Sequence, residues 1–455
     1  MATIDYRTVS VTAFAIFVMY GAVDVGTLSQ STPLDKNRET FPPTPPARVG
    51  ALEPSVREAL TSIVPSLRQR RFPTDAVRAI GRSGDGRLLW YLYDLHWFVT
   101  RTSQAILVEA FENLSGALLP ENALTVMGDR VLAWALPEPP DYRLLKRDLF
   151  LLIEPRWEAF FDDANSAIDW RLVGWGGVFI DDRPDATSGQ ICPRGCIPAL
   201  DEPAVTNAAA GAWYPDEALV FGVVIDGEAR AYPKNIMEVH EMVNDTLGGR
   251  RIAMPYCTLC LSAQAYFTDE IEGFRPQLRT SGLLSRSNKF MYDVTTFSAV
   301  DTFTGRAISG PLFDAGVHFN QTTVVTSTWA AWRDAHPQTT IIAEDGGIGR
   351  SYPSDPLRGR DDDGPIFPVG DVDPRLSVHD VVVGVIAADG TPVAFPVATA
   401  RLAFEAGETV AAAGVVLGPD AGGLRALNNG IEVPAHEAFW FAWSQFHPRT
   451  LLWER

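Results

Sequence analysis

Hydrophobic and polar positions divide the chain into stretches of different period. From Ser55 the spacing is helical: in SVREALTSIVPSLRQRRF the residues Val56, Leu60, Ile63, Val64 and Leu67 share one face. Two further Leu-, Trp- and Phe-rich stretches, DGRLLWYLYDLHWFVTRTSQAILVEAFENLSGALL and DYRLLKRDLFLLIEPRWEAFFDD, extend the helical reading. From about residue 217 the period shortens. ALVFGVVI has the length and β-branching of a buried strand, Asp226-Gly227 makes a hairpin turn, and EARAYP returns as its partner. PKNIMEVHEMVND reads as a short helix with Pro233 in its first turn. IAMPYC reads as a strand, LSAQAYF and FRPQLRTSG as a hairpin about TDEIEG, and WAAWRDAHP as a short helix closed by Pro337. The fold class expected is α+β: a helical N-terminal region, then a mainly antiparallel β body with short packed helices.

A weak internal repeat adds the expectation of two related β units. LVFGVVIDGEARAYP at 219–233 resembles VVVGVIAADGTPVAFP at 381–396, with Gly222 matching Gly384 and Tyr232-Pro233 matching Phe395-Pro396. Seven residues after Pro233 stands His240, and seven after Pro396 stands Ala403.

The N-terminal run VSVTAFAIFVMYGAVDV, Val9 to Val25, is too short for a comfortable membrane span, which needs roughly 20 apolar residues. It suits a signal peptide or marginal anchor, with a buried helix as the rival. The domain reading is therefore 1–28 signal or anchor, 29–54 a solvated proline-rich linker, 55–175 helical, and 197–455 β-rich. Extracytoplasmic placement follows, periplasmic or tethered to a membrane through the N-terminus. At 455 residues, two or three domains are expected. The net charge of −18 speaks against a nucleic-acid partner. A small-molecule or protein partner stays undefined.

Chemistry concentrates in the cysteines. There are four, in two close pairs, Cys192/Cys196 and Cys257/Cys260. Cys192-Pro-Arg-Gly-Cys196 has no His close in sequence, so a local disulfide is favoured over metal ligation. Cys257-x-x-Cys260 follows His240-Glu241. Two sulfurs and an imidazole would make a soft site for copper or zinc. A redox or nucleophilic thiol centred on Cys257 is the second reading, with His240 favouring the thiolate. A structural pair in a binding module is the third. In a helix Asn244 would lie one turn beyond His240 and orient its ring, while Glu241 would point elsewhere. Tyr256, Arg279, Ser281, Asn288 and Tyr292 either line a pocket or complete sheet hydrogen bonds. His96 among aromatics reads as a core residue, and Asp361-Asp362-Asp363 as a solvated loop. The aromatic tail with His436 and His447 reads as docking the C-terminus onto the core. No phosphate-binding glycine loop, Gly-x-Ser-x-Gly elbow or His-Glu-x-x-His is present, so no nucleotide cofactor is indicated.

Several motifs in order resemble the domain-of-unknown-function family numbered 3179. They are DGEARAYP, His-Glu-Met-Val-Asn-Asp at 240–245, Tyr-Cys-Thr-Leu-Cys at 256–260, Ser281-Gly-Leu-Leu, Met291-Tyr-Asp, Gly310-Pro-Leu and the tail from Phe439 to Pro448. The resemblance runs from about Ile197 to Trp453. It implies no settled activity; members are bacterial or archaeal and often look exported. This chain departs from the pattern at Thr258 and Leu261, where Pro and Gly are usual. It also departs at Ser298-Ala299-Val300, in place of Ser-Leu-Trp, and at His379, where Lys is common.

Overall fold

The computed structural model describes residues 41–120, 123–183, 192, 194–269, 271–359 and 364–455. The apolar run Val9–Val25 and the acidic triplet Asp361–Asp363 lie outside the described residues. Among the described residues no helix is long and apolar enough to cross a membrane. The chain forms two compact units: Arg38–Gly177 with Phe367–Asp371, and Val178–Ile366 with Val372–Arg455.

The first unit is helical. Its longer helices are Pro54–Arg68, Arg101–Ser115 and Ala123–Trp134. Pro54 stands in the first turn of its helix, where a missing N–H costs nothing. Thr100 and Ser103 form a capping box, and Gly116 stops that helix in the left-handed conformation. Val56, Leu60 and Ile63 are buried, as their spacing predicts. Trp134 Nε1 donates to Pro42 O at 2.8 Å, and Gly86 N to Pro46 O at 2.9 Å. The described end of the proline-rich stretch is thus without regular secondary structure but fastened to the helices. A proline-rich strand keeps its carbonyls free to accept, which composition does not reveal.

The second unit corrects the expected α+β body of two related units. It is a propeller-like arrangement of five small, mostly antiparallel sheets. One has the strand order Val325–Thr328, Leu219–Ile225, Glu228–Pro233, Thr340–Ile342, Val205–Asn207. A second has the order Ala435–Phe439, Val381–Ile386, Pro392–Pro396, Leu451–Leu452. A third is the meander Val410–Ala412, Val415–Asp420, Gly423–Asn428, Ile431–Val433. The fourth contains Leu278–Ser285, Asn288–Asp293, Ala299–Asp301 and Arg306–Ala307. The fifth is built on Met242–Leu247 and Arg250–Cys257, with Leu200–Asp201 and Gln321–Thr322 at its edges. The expectation failed because only hairpins are local. Leu200 pairs with Val243, and Gln321 with Tyr266, and sequence pattern does not encode such distant partners.

Two of the five sheets share a plan. Each is a hairpin followed by a short helix, flanked by an outer antiparallel strand and a final parallel one. In each a glycine of the first strand meets a tryptophan ring, Gly222 against Trp332 and Gly384 against Trp443. Each indole donates to a threonine at 2.9 Å, Trp332 to Thr339 and Trp443 to Thr450.

Candidate thiol site

The site is a hairpin end. The strand Arg250–Cys257 runs apolar into the core, and the chain turns through Thr258–Cys260 in a single 3-10 turn. Leu261 then adopts φ 51°, and Cys257 pairs with Ser262 on the return. A three-residue turn brings the two sulfurs together: Cys257 Sγ lies 2.6 Å from Cys260 Sγ. Both face the carbonyl of Ser287, at 3.6 Å for Cys257 and 3.0 Å for Cys260. Ser287 belongs to the turn joining Leu278–Ser285 to Asn288–Asp293. Cys257 is 5 % exposed and Cys260 fully buried. Burial, with the neighbouring Cys257 sulfur adding to it, pushes the Cys260 thiol well above its ordinary value.

His240 does not join this pair. It ends the helix Lys234–His240, and its ring is held at both nitrogens. Nδ1 lies 2.6 Å from Pro198 O, and Nε2 lies 2.7 Å from Tyr352 Oη. A carbonyl only accepts, so Nδ1 carries the proton and Nε2 accepts from the tyrosine. Burial holds the imidazole neutral, pulling it down to about 4. Among the described residues, the one group of three or more His, Cys, Asp or Glu with ligand atoms within 4.8 Å of one another is Asp181, Cys192 and Cys196. The expected set of Cys257, Cys260 and His240 is not assembled.

Glu241, rather than His240, reaches the thiol hairpin. It caps the helix with φ 54°, its N–H donating to Met237 O at 2.7 Å. That left-handed turn, uncommon for a side chain larger than glycine or asparagine, sends Glu241 toward the thiol hairpin. Its carbonyl accepts from Tyr256 N at 2.9 Å and its carboxylate from Thr258 Oγ1 at 3.1 Å. It therefore holds the residue on each side of Cys257. Its carboxylate also pairs with Lys289. Burial draws the Lys289 ammonium down to about 7; a carboxylate partner, in general, favours the charged ammonium. Sequence reasoning missed Lys289. The signal was a cation within a strand whose other residues are almost all buried.

Asn244 is also elsewhere. The helix ends at His240, and Asn244 sits in the strand Met242–Leu247. It donates to Asp201 Oδ1 at 2.7 Å and to Leu278 O at 3.0 Å. The expected one-turn relation to His240 fails because Glu241 breaks the helix between them. Arg279 is fully buried against the Asp201 carboxylate. Ser281 bonds the carbonyl of Phe290, and Tyr292 Oη donates to Asp181 O at 2.6 Å. These three complete the core's hydrogen bonding. Asn288 is closer to the thiols in sequence of contacts, since Ser262 Oγ donates to its Oδ1 at 3.4 Å. Tyr256 packs its ring 4.8 Å from that of Phe221.

Cys192 and Cys196 form a disulfide with Cα atoms 5.3 Å apart, the favoured reading of that loop. Asp181 lies beside it and accepts from Ala199 N at 2.9 Å and Arg183 Nη2 at 2.8 Å. The ligand atoms of Asp181, Cys192 and Cys196 lie within 4.8 Å of one another, with the two sulfurs bonded to each other.

A family model described as "Protein of unknown function (DUF3179)" matches residues 194–430, just over half the chain. The chain belongs to this family. The DUF3179 match takes in Glu241, Cys257, Cys260, Ser287 and Lys289, and leaves out the helical unit. No curated protein and no solved structure matches the chain.

Proposed function

We propose that this DUF3179 protein is a thiol–disulfide redox protein whose working pair is Cys257 and Cys260. The observation that carries this is that one short turn sets both thiols side by side, Cys260 fully buried and Cys257 nearly so. A closed zinc or copper site needs further nitrogen or sulfur ligands. Among the described residues no third ligand gathers with this pair, and both nitrogens of His240 are engaged, so a metal ion here is the weaker reading.

The reaction is an exchange with a partner disulfide. The Cys257 thiolate attacks one sulfur of R–S–S–R′, forms a mixed disulfide and expels R′S⁻. Cys260 then loses its proton, attacks the Cys257 sulfur and expels RS⁻. The partner gains two electrons, and the protein keeps a Cys257–Cys260 disulfide. Cys257 is the entry thiol because it keeps some exposure, whereas Cys260 has none. Extracytoplasmic placement goes with this reading. It is supported by the apolar run Val9–Val25 and by the Cys192–Cys196 disulfide, which needs an oxidising compartment.

The test is equilibration of the protein in graded dithiol/disulfide buffers, acid quench, alkylation and peptide mass mapping. A two-electron transition at Cys257–Cys260, absent in Cys257→Ser with Cys260→Ser, is expected. A pair inert to both oxidant and reductant would refute the reading. So would stoichiometric copper or zinc that is lost in the double variant.

A further inference from the structure

Cys260 is buried and its thiol pushed upward. A buried dithiol of that kind is unreactive unless charge nearby favours the thiolate. Two charged groups meet at Thr258, the residue after Cys257. Glu241 grips Tyr256 and Thr258, the residues on either side of Cys257. Lys289 pairs with Glu241, and two residues before it is Ser287, whose carbonyl both thiols face. Among the described residues Lys289 has no other ionic partner. The pair joins the two segments that make the site, the thiol hairpin and the Ser287 turn.

We infer that the Glu241–Lys289 pair sets the reactivity of Cys257–Cys260, with Lys289 favouring the thiolate and Glu241 restraining Lys289. This deepens the redox reading and rests on it. Lys289 and Glu241 are positioning residues: neither is within hydrogen-bond distance of a sulfur, and each acts through the field at the pair and through Thr258 and Ser287. A cation next to a thiol stabilises the charged nucleophile, and a carboxylate next to that cation cancels part of its field. The two partners therefore have opposite effects on the sulfur although they hold each other in place. Arg286 lies in the same turn as Ser287 and is common to every variant compared.

Opposite signs make the inference testable. The rate of alkylation of the reduced protein at Cys257 is measured by mass spectrometry at one fixed pH near neutrality. Lys289→Met is expected to slow it about threefold or more, and Glu241→Gln to speed it by a similar factor. Lys289→Arg keeps the cation and is expected to restore most of the rate. A purely structural role would loosen the hairpin in both variants and speed both. Shifts in the same direction, or none, overturn the inference. Lys289→Gln replaces Lys289→Met should the latter not fold. Should the wild-type pair fail to cycle in redox buffer while the opposite shifts persist, the redox reading falls and the electrostatic one stands.

Discussion

His240 and Tyr352 are joined ring nitrogen to hydroxyl at 2.7 Å, across 112 positions of sequence. That bond fixes the imidazole tautomer and ties the loop carrying Tyr352 to the end of the helix Lys234–His240. Tyr352→Phe leaves Nε2 without its donor. A loss of about 1–3 kcal/mol is expected from urea unfolding, because a buried acceptor is left unmet. Cycling of Cys257–Cys260 is expected to persist. A variant that loses cycling while keeping its stability would place His240 in the chemistry after all.

Acid should destabilise the protein in a defined window. Burial holds His240, His96 and His447 down at about 4 and His436 at about 3. In the unfolded chain these rings titrate at about 6.5. A ring whose folded value is depressed contributes stability that is complete above about 6.5. That stability is lost as pH falls toward the folded value, since the unfolded chain binds the proton first. Unfolding midpoints should therefore drop between about pH 6.5 and 4, and His436→Gln should reduce the slope.

The shared plan of two sheets predicts matched costs. A Cβ at Gly222 would overlap the Trp332 ring, and one at Gly384 the Trp443 ring. Gly222→Ala and Gly384→Ala should each cost about 1–3 kcal/mol in chemical denaturation, as overpacked cores do. Gly390→Ala tests something else, because space around Gly390 is open and the only strain is its φ of 84°.

Removing the small disulfide should be mild. Cys192–Cys196 spans a separation of four residues. Closing so short a loop stabilises by about 2 kcal/mol on chain-entropy grounds. Cys192→Ser with Cys196→Ser should lower the free energy of unfolding, read from denaturant titration, by about 2 kcal/mol. The redox transition of Cys257–Cys260 should not move.

Much of what is local could be read from the chain. Helical spacing placed Val56, Leu60 and Ile63 inward, and the Asp226-Gly227 turn made the hairpin Leu219–Pro233. The thiol pair was evident from Cys-x-x-Cys, because a turn that short forces two sulfurs together whatever surrounds it. The close Cys192/Cys196 spacing carried its disulfide for the same reason. What depends on distant partners was not legible. Five sheets form because strands such as Leu200–Asp201 and Gln321–Thr322 find edges tens of residues away. Within the site, one residue's backbone decided the outcome. Glu241 leaves the helix at positive φ, turning its own carboxylate to Thr258 and Lys289 and leaving His240 to Pro198 and Tyr352. Neighbouring residues in sequence point together only while the secondary structure continues, and packing alone settled that it stops there.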